Sequence, residues 1–262
     1  MKIQKKIMLY AVMFFIIFSI IFGFIFYYFE KSNLEDDTFS HLNMVTEEKS
    51  QHIMTFLKKK KKQLLLLSKD SSIYDFIQSS PSDKNYDELY AAAVNRIREI
   101  NRGMAIFDEA GFILAAENYP PGSNFSDHPY FSSDMDKTFY VSYYDEYKKE
   151  TMFGIMAPVR DYNGNLIASI GFDINGDDLF DIVAGSISSW ESEEYFLVGY
   201  DEVGNAKIFS PLKFYQGPLS YENESADNFS SLIYGSLSSE EVKVLESVDY
   251  KGIPVFAAYK SI

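Results

Sequence analysis

The sequence of 262 residues contains no cysteine, which excludes disulfides and thiolate metal sites. Histidine is nearly as scarce, with only His41, His52 and His128. The first two fall within one stretch of helical pattern, well before the third in the chain. We therefore expect no histidine-based metal centre and no catalytic triad.

Sequence motifs of the common enzyme classes are also absent. There is no Gly-x-x-x-x-Gly-Lys-Ser/Thr, no Gly-x-Gly-x-x-Gly and no Gly-x-Ser-x-Gly. The segment DINGDDLFDIVA begins like a calcium loop, but Asp178 stands at the position of the turn glycine and Ala184 at that of the bidentate glutamate. We expect a chain that is not an enzyme and that has no cofactor and no metal site.

Charge is unevenly distributed along the chain. Residues 63–262 carry 14 basic and 32 acidic side chains, whereas residues 1–62 carry 10 lysines and 6 acidic side chains. An acidic surface repels nucleic acid and anionic lipid, so nucleic acid is excluded as a partner.

The longest apolar run covers residues 7–29, which include no charged residue. As a helix it spans a hydrocarbon core of ~30 Å, and no small-residue cleavage site follows it. Three lysines lie within residues 1–6, and acidic residues follow position 29. The run predicts an uncleaved transmembrane helix with residues 1–6 in the cytoplasm and the chain after about residue 30 outside. The alternative is a buried helix of a globular core.

A stalk helix is predicted over residues 33–80, because residues 34–68 lack glycine and proline and place apolar residues at helical spacing. Five consecutive lysines at 58–62 suggest contact with a membrane or polyanion, but a solvated helix turn explains them better. After Pro81 we predict a further helix with Ser82 as N-cap, ending before Gly103.

Strand patterns follow Gly103. MAIFDEAGFILAAE predicts a hairpin that turns at residues 108–111, and TFYVSYYDEY, TMFGIMAPVRD and LIASIGFDI predict further strands. Asn163-Gly164 supplies the tight turn between the last two strands, and NGDDLFDIVAGSI predicts a short helix. The pattern then recurs: residues 201–204 match residues 108–111, and VDYKGIPVFAAYKSI matches VRDYNGNLIASIGFDI. This predicts two similar α+β units, the second incomplete because the chain stops inside an expected strand.

The membrane anchor, the outward helix and the segments GSNFSDHPYF, APVRDYNGNLIASIGFDI and DYKGIPVFAAY together resemble the double Cache family over about residues 35–262. These domains are the extracytoplasmic sensors of bacterial chemoreceptors, sensor histidine kinases and cyclic-dinucleotide enzymes. The resemblance implies two tandem PAS-like antiparallel sheets, a membrane-distal unit at 82–187 and a membrane-proximal unit at 188–262. It also implies a location in the inner or plasma membrane, a homodimer formed through the stalk helix, and a small-molecule ligand such as an amino acid, amine or organic acid.

The same resemblance implies a ligand site in the distal unit. Its residues are His128, Tyr130, Phe131, Tyr143 and Asp173. Asp173 corresponds to the aspartate that pairs with a ligand ammonium, and strand alternation favours Tyr143 among the neighbouring tyrosines. His128 stands where the family has a carboxylate-binding arginine, and a histidine does not offer that fixed charged fork.

Each of these residues has a simpler explanation as well. Tyr130 and Phe131 could pack the sheet, His128 could form a rigid turn with Pro129, and Asp173 could cap the following helix. Lys148, Lys149 or Arg160 could supply the positive charge instead, and a cationic ligand, an uncharged ligand or no ligand at all are further alternatives. For the whole chain, the alternatives are an anchored surface protein with a structural or adhesive role and no small-molecule ligand, and an anchored hydrolase that uses paired carboxylates.

Overall fold

The computed structural model describes residues 2–100, 103–127, 139–145, 150–184, 192–200, 205–210, 212–213, 219–221 and 228–262. The helices in these ranges are α1 (Lys2–Leu67), α2 (Ser71–Gln78), α3 (Tyr86–Ile100), α4 (Gly176–Ala184) and α5 (Asn228–Ser236). The strands are β1 (Met104–Phe107), β2 (Ile113–Ala116), β3 (Phe139–Asp145), β4 (Glu150–Arg160), β5 (Leu166–Asn175), β6 (Val198–Tyr200), β7 (Ala206–Ile208), β8 (Leu219–Tyr221), β9 (Lys243–Val248) and β10 (Pro254–Tyr259). The fold is a mixture of helices and antiparallel sheets, which confirms the predicted α+β class.

Helix α1 is continuous over 66 residues, a length of ~99 Å. Its first part is long and apolar enough to cross a membrane, and the large apolar side chains of residues 7–29 are exposed in the isolated chain. Its last part packs against the folded domain, where Ile53, Leu64 and Leu67 are buried.

The predicted stalk helix over 33–80 is correct up to residue 67 and wrong after it. Helix α1 ends at Leu67, and α2 begins at Ser71. Asp70 is the cause, because its Oδ1 accepts a hydrogen bond of 3.0 Å from the backbone N–H of Ser72 and so caps α2.

The start of the next helix also differs from the prediction, since α3 begins at Tyr86 rather than after Ser82. A turn takes up the residues in between. The N–H of Asp83 donates to the carbonyl of Ser80 over 2.8 Å, and the Asp83 carboxylate accepts from the N–H of Ser80, also over 2.8 Å. This local pairing competes with the helix for the same backbone groups.

The main sheet has five antiparallel strands in the order β2-β1-β5-β4-β3. One face carries the larger apolar core, which α1, α2, α3 and α4 cover. The opposite face carries a smaller cluster of buried side chains, called here the outer cluster: Ala105, Phe107, Ile113, Ala116, Met152 and Met156. The sheet therefore has a helix-covered face and an outer face.

Three hairpins share one turn, and the two hairpins predicted with turns at residues 108–111 and 161–164 are confirmed. In each, an aspartate accepts hydrogen bonds at Oδ1 from the N–H groups two and four residues later, and a glycine with positive φ follows three residues after it. The aspartates are Asp108, Asp161 and Asp249, and the glycines are Gly111, Gly164 and Gly252.

The C-terminal part has a smaller core in which Ala206, Ile208, Phe229 and Ile233 are buried. Strands β6, β7 and β8 form one sheet, and β9 and β10 form a hairpin. The predicted repeat at 201–204 lies outside the described residues, so the equivalence of the two units remains a prediction.

Candidate ligand-binding site

The candidate site lies on the outer face of the main sheet, around β5. Alternation along this strand sends Ile170, Phe172 and Ile174 into the helix-covered core. Its odd-numbered residues, which include Gly171 and Asp173, belong to the opposite face. Asp173 therefore sits on the outer face.

The strand register puts no side chain directly opposite Asp173 in β4. In β4 the residue directly opposite is Gly154, which has no side chain. On the other side, the pairing of β5 with β1 ends where Phe172 meets Met104, one residue before Asp173. This register position, with a glycine on one side and the end of a strand pairing on the other, is called here the Asp173 notch.

The Asp173 carboxylate is desolvated. Among the residues that the structure describes, none donates a hydrogen bond to its buried Oδ1. Burial raises the pKa of the Asp173 carboxyl to about 7, since the apolar surroundings disfavour the charged form. A buried carboxylate in this condition is a strong acceptor for a cation or for a donor that a ligand brings.

Asp173 is not a helix cap. The cap of α4 is Asn175, whose Oδ1 accepts a hydrogen bond of 2.9 Å from the backbone N–H of Asp177. The structural alternative for Asp173 is therefore wrong, and its carboxylate has no role in starting α4.

The strand register places position 143 on the same side of the sheet. Tyr143 pairs with Met152, one of the outer-cluster residues, and Val141 pairs with Gly154. Directly paired residues in an antiparallel sheet share a face. Tyr143 is therefore at a register position on the face of Asp173, and its contact with a ligand stays a prediction.

The other three predicted site residues, His128, Tyr130 and Phe131, lie outside the described residues. The segment that leads to them is described. Phe125 lies 6.0 Å from Phe107, between ring centroids, and packs on the outer cluster. Phe125, in the first half of GSNFSDHPYF, thus packs on the same face of the sheet that carries Asp173.

Gly111 holds this leading segment close to the first hairpin turn. The N–H of Phe125 donates to the carbonyl of Gly111 over 2.9 Å. A Cβ added to Gly111 would lie 2.8 Å from the Cα of Ser126, and the φ of Gly111 is +87°. Two independent constraints therefore require glycine at this position.

Arg160 does not supply the positive charge that we considered for the site. Its Nη1 donates to the carbonyl of Gly164 over 2.9 Å, at the turn between β4 and β5. It lies six positions from Gly154 in β4, a distance of ~20 Å along the strand. Lys148 and Lys149 lie outside the described residues.

The apolar floor of the site was not predicted from the sequence. Met152 and Met156 are 4% and 1% exposed, and the Met156 Sδ lies 2.6 Å from the position of a Cβ on Gly171. The methionine thus fills the space that this glycine leaves. Strand alternation along TMFGIMAPVRD could have predicted it, because Met152 and Met156 are even-numbered like Gly154 and so share its face of the sheet.

Comparison with known proteins gives structural matches only. No protein-family model matches the chain, and no curated protein matches it. The ligand-binding domain of the Campylobacter jejuni chemoreceptor Tlp3 in complex with L-valine is similar with a TM-score of 0.53 and 16% identity, over 82% of this chain and 86% of that chain. The periplasmic sensory domain of the C. jejuni chemoreceptor Tlp1 is similar with a TM-score of 0.57 and 11% identity, over 86% of this chain and 90% of that chain.

The chain has the double Cache fold. At these identities the likeness establishes the fold and not a shared ligand. Within the double Cache fold, the notch at Asp173 is the place where the described residues combine an unpaired buried carboxylate with an apolar floor.

Proposed function

We propose that this chain is the extracytoplasmic ligand-sensing part of a bacterial transmembrane receptor. Its ligand is a small metabolite with an amino group, such as an amino acid or an amine. The unpaired carboxylate of Asp173 carries this proposal. The double Cache fold supports the sensing role, because the neighbours of known structure are named as ligand-binding or sensory domains of chemoreceptors.

The charge on Asp173 favours an amine over an organic acid without an amino group. An ammonium placed in the notch gives the buried carboxylate a charge-assisted hydrogen bond and removes the penalty of an unpaired ion. An anionic ligand would meet that carboxylate without compensation from a described cation nearby. The structure of Tlp3 with L-valine is compatible with this class of ligand for the fold.

The membrane arrangement is part of the proposal. The N-terminal part of α1 is long and apolar enough to cross a membrane, and the lysines of residues 2–6 favour a cytoplasmic start by the positive-inside rule. The sensor domain then lies outside, and two copies pair along α1. The output of the receptor is a chemotaxis signalling helix, a histidine kinase or a cyclic-dinucleotide enzyme.

A thermal-shift screen of the full chain in detergent tests the proposal. The panel contains L-valine, L-isoleucine and γ-aminobutyrate, each beside the analogue that lacks the amino group. A ligand at a hundredfold excess over its Kd stabilises the domain by about 2.7 kcal/mol, which is several degrees for a domain of this size.

The matched variants are Asp173→Asn and Asp181→Asn, the second an exposed acid on α4. We expect an amine to raise the melting temperature of the wild type and of Asp181→Asn, but not of Asp173→Asn. A shift that survives in Asp173→Asn, or one caused equally by the deaminated analogue, would contradict the proposal.

A further inference from the structure

Residues 41–49 of α1 contact three other parts of the domain through polar side chains. His41 Nε2 lies 2.6 Å from Glu193 Oε1, and Lys49 Nζ donates to the carbonyl of Val183 over 2.5 Å. Glu47 accepts a hydrogen bond of 2.7 Å from Lys260, beyond the end of β10. These contacts fall within about 12 Å of helix, outside the membrane-spanning segment.

Lys49 is the most buried charge in this stretch, with 5% of its surface exposed. Lysine is rarely buried to this extent without partners. Its partner carbonyl, Val183, lies in the last turn of α4, where backbone carbonyls lack helical donors. Helix α4 has no basic residue of its own in that turn, so Lys49 supplies the cation that favours a helix C-terminus.

Further groups hold Lys49 in this position. Its ammonium lies 4.4 Å from the centroid of the Tyr195 ring. The Tyr195 hydroxyl donates to Glu193 Oε2 over 2.6 Å, and the other oxygen of Glu193 meets His41. The contacts form a closed loop that begins and ends on α1. Burial lowers the pKa of Lys49, and the charges of Glu48 and Glu193 oppose that shift.

Helix α4 joins this loop to the candidate site. Asp173 lies two residues before Asn175, which caps α4, and Val183 lies at the other end of the helix. The helix is about 13 Å long and its Leu179 and Val183 are buried in the main core. A shift of β5 at Asp173 therefore reaches the Val183 carbonyl through one short, rigid element.

We propose that Lys49 is the positioning residue that couples the state of the Asp173 notch to α1. The inference rests on the proposed function, since it assigns the route by which that site acts on the stalk. If α4 moves and α1 does not follow, the buried ammonium loses the Val183 carbonyl as an acceptor, which is energetically unfavourable. Helix α1 is therefore expected to follow a displacement of α4.

Hydrogen exchange in a double-mutant cycle tests the coupling without a ligand. Asp173→Asn removes the charge at the notch, and Lys49→Met removes the ammonium but keeps the apolar stem. The measurement is amide exchange across residues 41–49 of the full chain in detergent. We expect Asp173→Asn to change that exchange by about threefold or more in the wild-type background and by less than about 1.5-fold in Lys49→Met.

Two controls complete the cycle. Lys58→Met removes an exposed lysine from the same helix, and the effect of Asp173→Asn should persist in it. Lys49→Arg keeps a charged donor and should retain the effect, which also separates lost coupling from lost folding. An Asp173→Asn effect that is equal with and without Lys49, or absent from every background, would overturn the inference. If no amine stabilises the protein in the screen, the proposed ligand class is wrong, but the double-mutant cycle still tests the coupling between Asp173 and α1.

Discussion

Gly154 of β4 lies directly opposite Asp173 of β5 in the main sheet. A glycine at this register position leaves no side chain beside the buried carboxylate. The φ of Gly154 is not among the positive values of the chain, so the backbone does not require glycine there. In the proposed site, the ligand uses the volume that a side chain at this position would fill.

Gly154→Val is predicted to close this space. A valine suits an extended backbone, and its branched side chain would occupy the face of the sheet beside Asp173. We expect the affinity for an amine from the screen to fall by at least about tenfold, or ~1.4 kcal/mol, while the thermal transition stays cooperative. Calorimetric titration measures the affinity, and undiminished binding would show that the ligand lies elsewhere.

Asp173→Asn is predicted to stabilise the ligand-free protein at neutral and higher pH. The carboxyl pKa is raised from 3.8 to about 7 in the folded state, so between these values the folded wild type binds a proton that the unfolded chain releases. Its free energy of unfolding therefore falls as pH rises through this window and levels off above it. Asparagine does not titrate, so the variant does not lose stability over this pH range.

The advantage of Asp173→Asn should be small near pH 4 and largest above about pH 7, with an upper bound of about 4 kcal/mol. Denaturant unfolding of both proteins across this pH range gives the difference, with Asp181→Asn as the surface control. A pH-independent difference would mean that the carboxylate is solvated.

Alanine substitutions at two turn glycines are predicted to differ in effect. Gly164 and Gly111 have nearly the same φ, +88° and +87°, but a Cβ meets nothing within 4 Å at Gly164 and the Ser126 backbone at 2.8 Å at Gly111. Gly164→Ala should cost about 1 kcal/mol from backbone strain alone. Gly111→Ala should cost clearly more, and it should also weaken amine binding because it displaces the segment before His128. Equal losses in unfolding free energy would show that the close approach of the Ser126 backbone to Gly111 does not require glycine there.

The membrane orientation can be tested with single cysteines, because the native chain has none. Ser32→Cys follows the apolar run and Ile3→Cys precedes it. In intact cells, a membrane-impermeant maleimide should label Ser32→Cys and leave Ile3→Cys unlabelled until the cells are opened. The reverse pattern would invert the proposed topology.

The sequence predicted the local features of the sheet well. Each Asp-x-x-Gly turn and its flanking strands follow from side-chain chemistry within five residues, as at Asp161 and Gly164. Strand alternation also favoured Tyr143 among the neighbouring tyrosines, since that inference needs only the period of the strand.

Features that depend on competing local interactions or on distant contacts were not predicted. The break after Leu67 depends on the Asp70 cap, and the late start of α3 depends on the Ser80–Asp83 turn. The contact between Lys49 and Val183 joins residues 134 positions apart. Hydrophobic periodicity describes neighbours within one helix or strand, so it cannot predict a contact between residues this far apart in the sequence.

The most direct test of the account is the pKa of Asp173 itself, measured by NMR from the carboxyl ¹³C shift with and without the amine found in the screen. Asp173→Asn identifies the resonance. The account predicts a pKa of about 7 in the free protein and a fall of at least about two units when the ammonium pairs with the carboxylate. A pKa that stays in place on saturation with the amine would show that the ligand does not bind Asp173, and would contradict the proposed site.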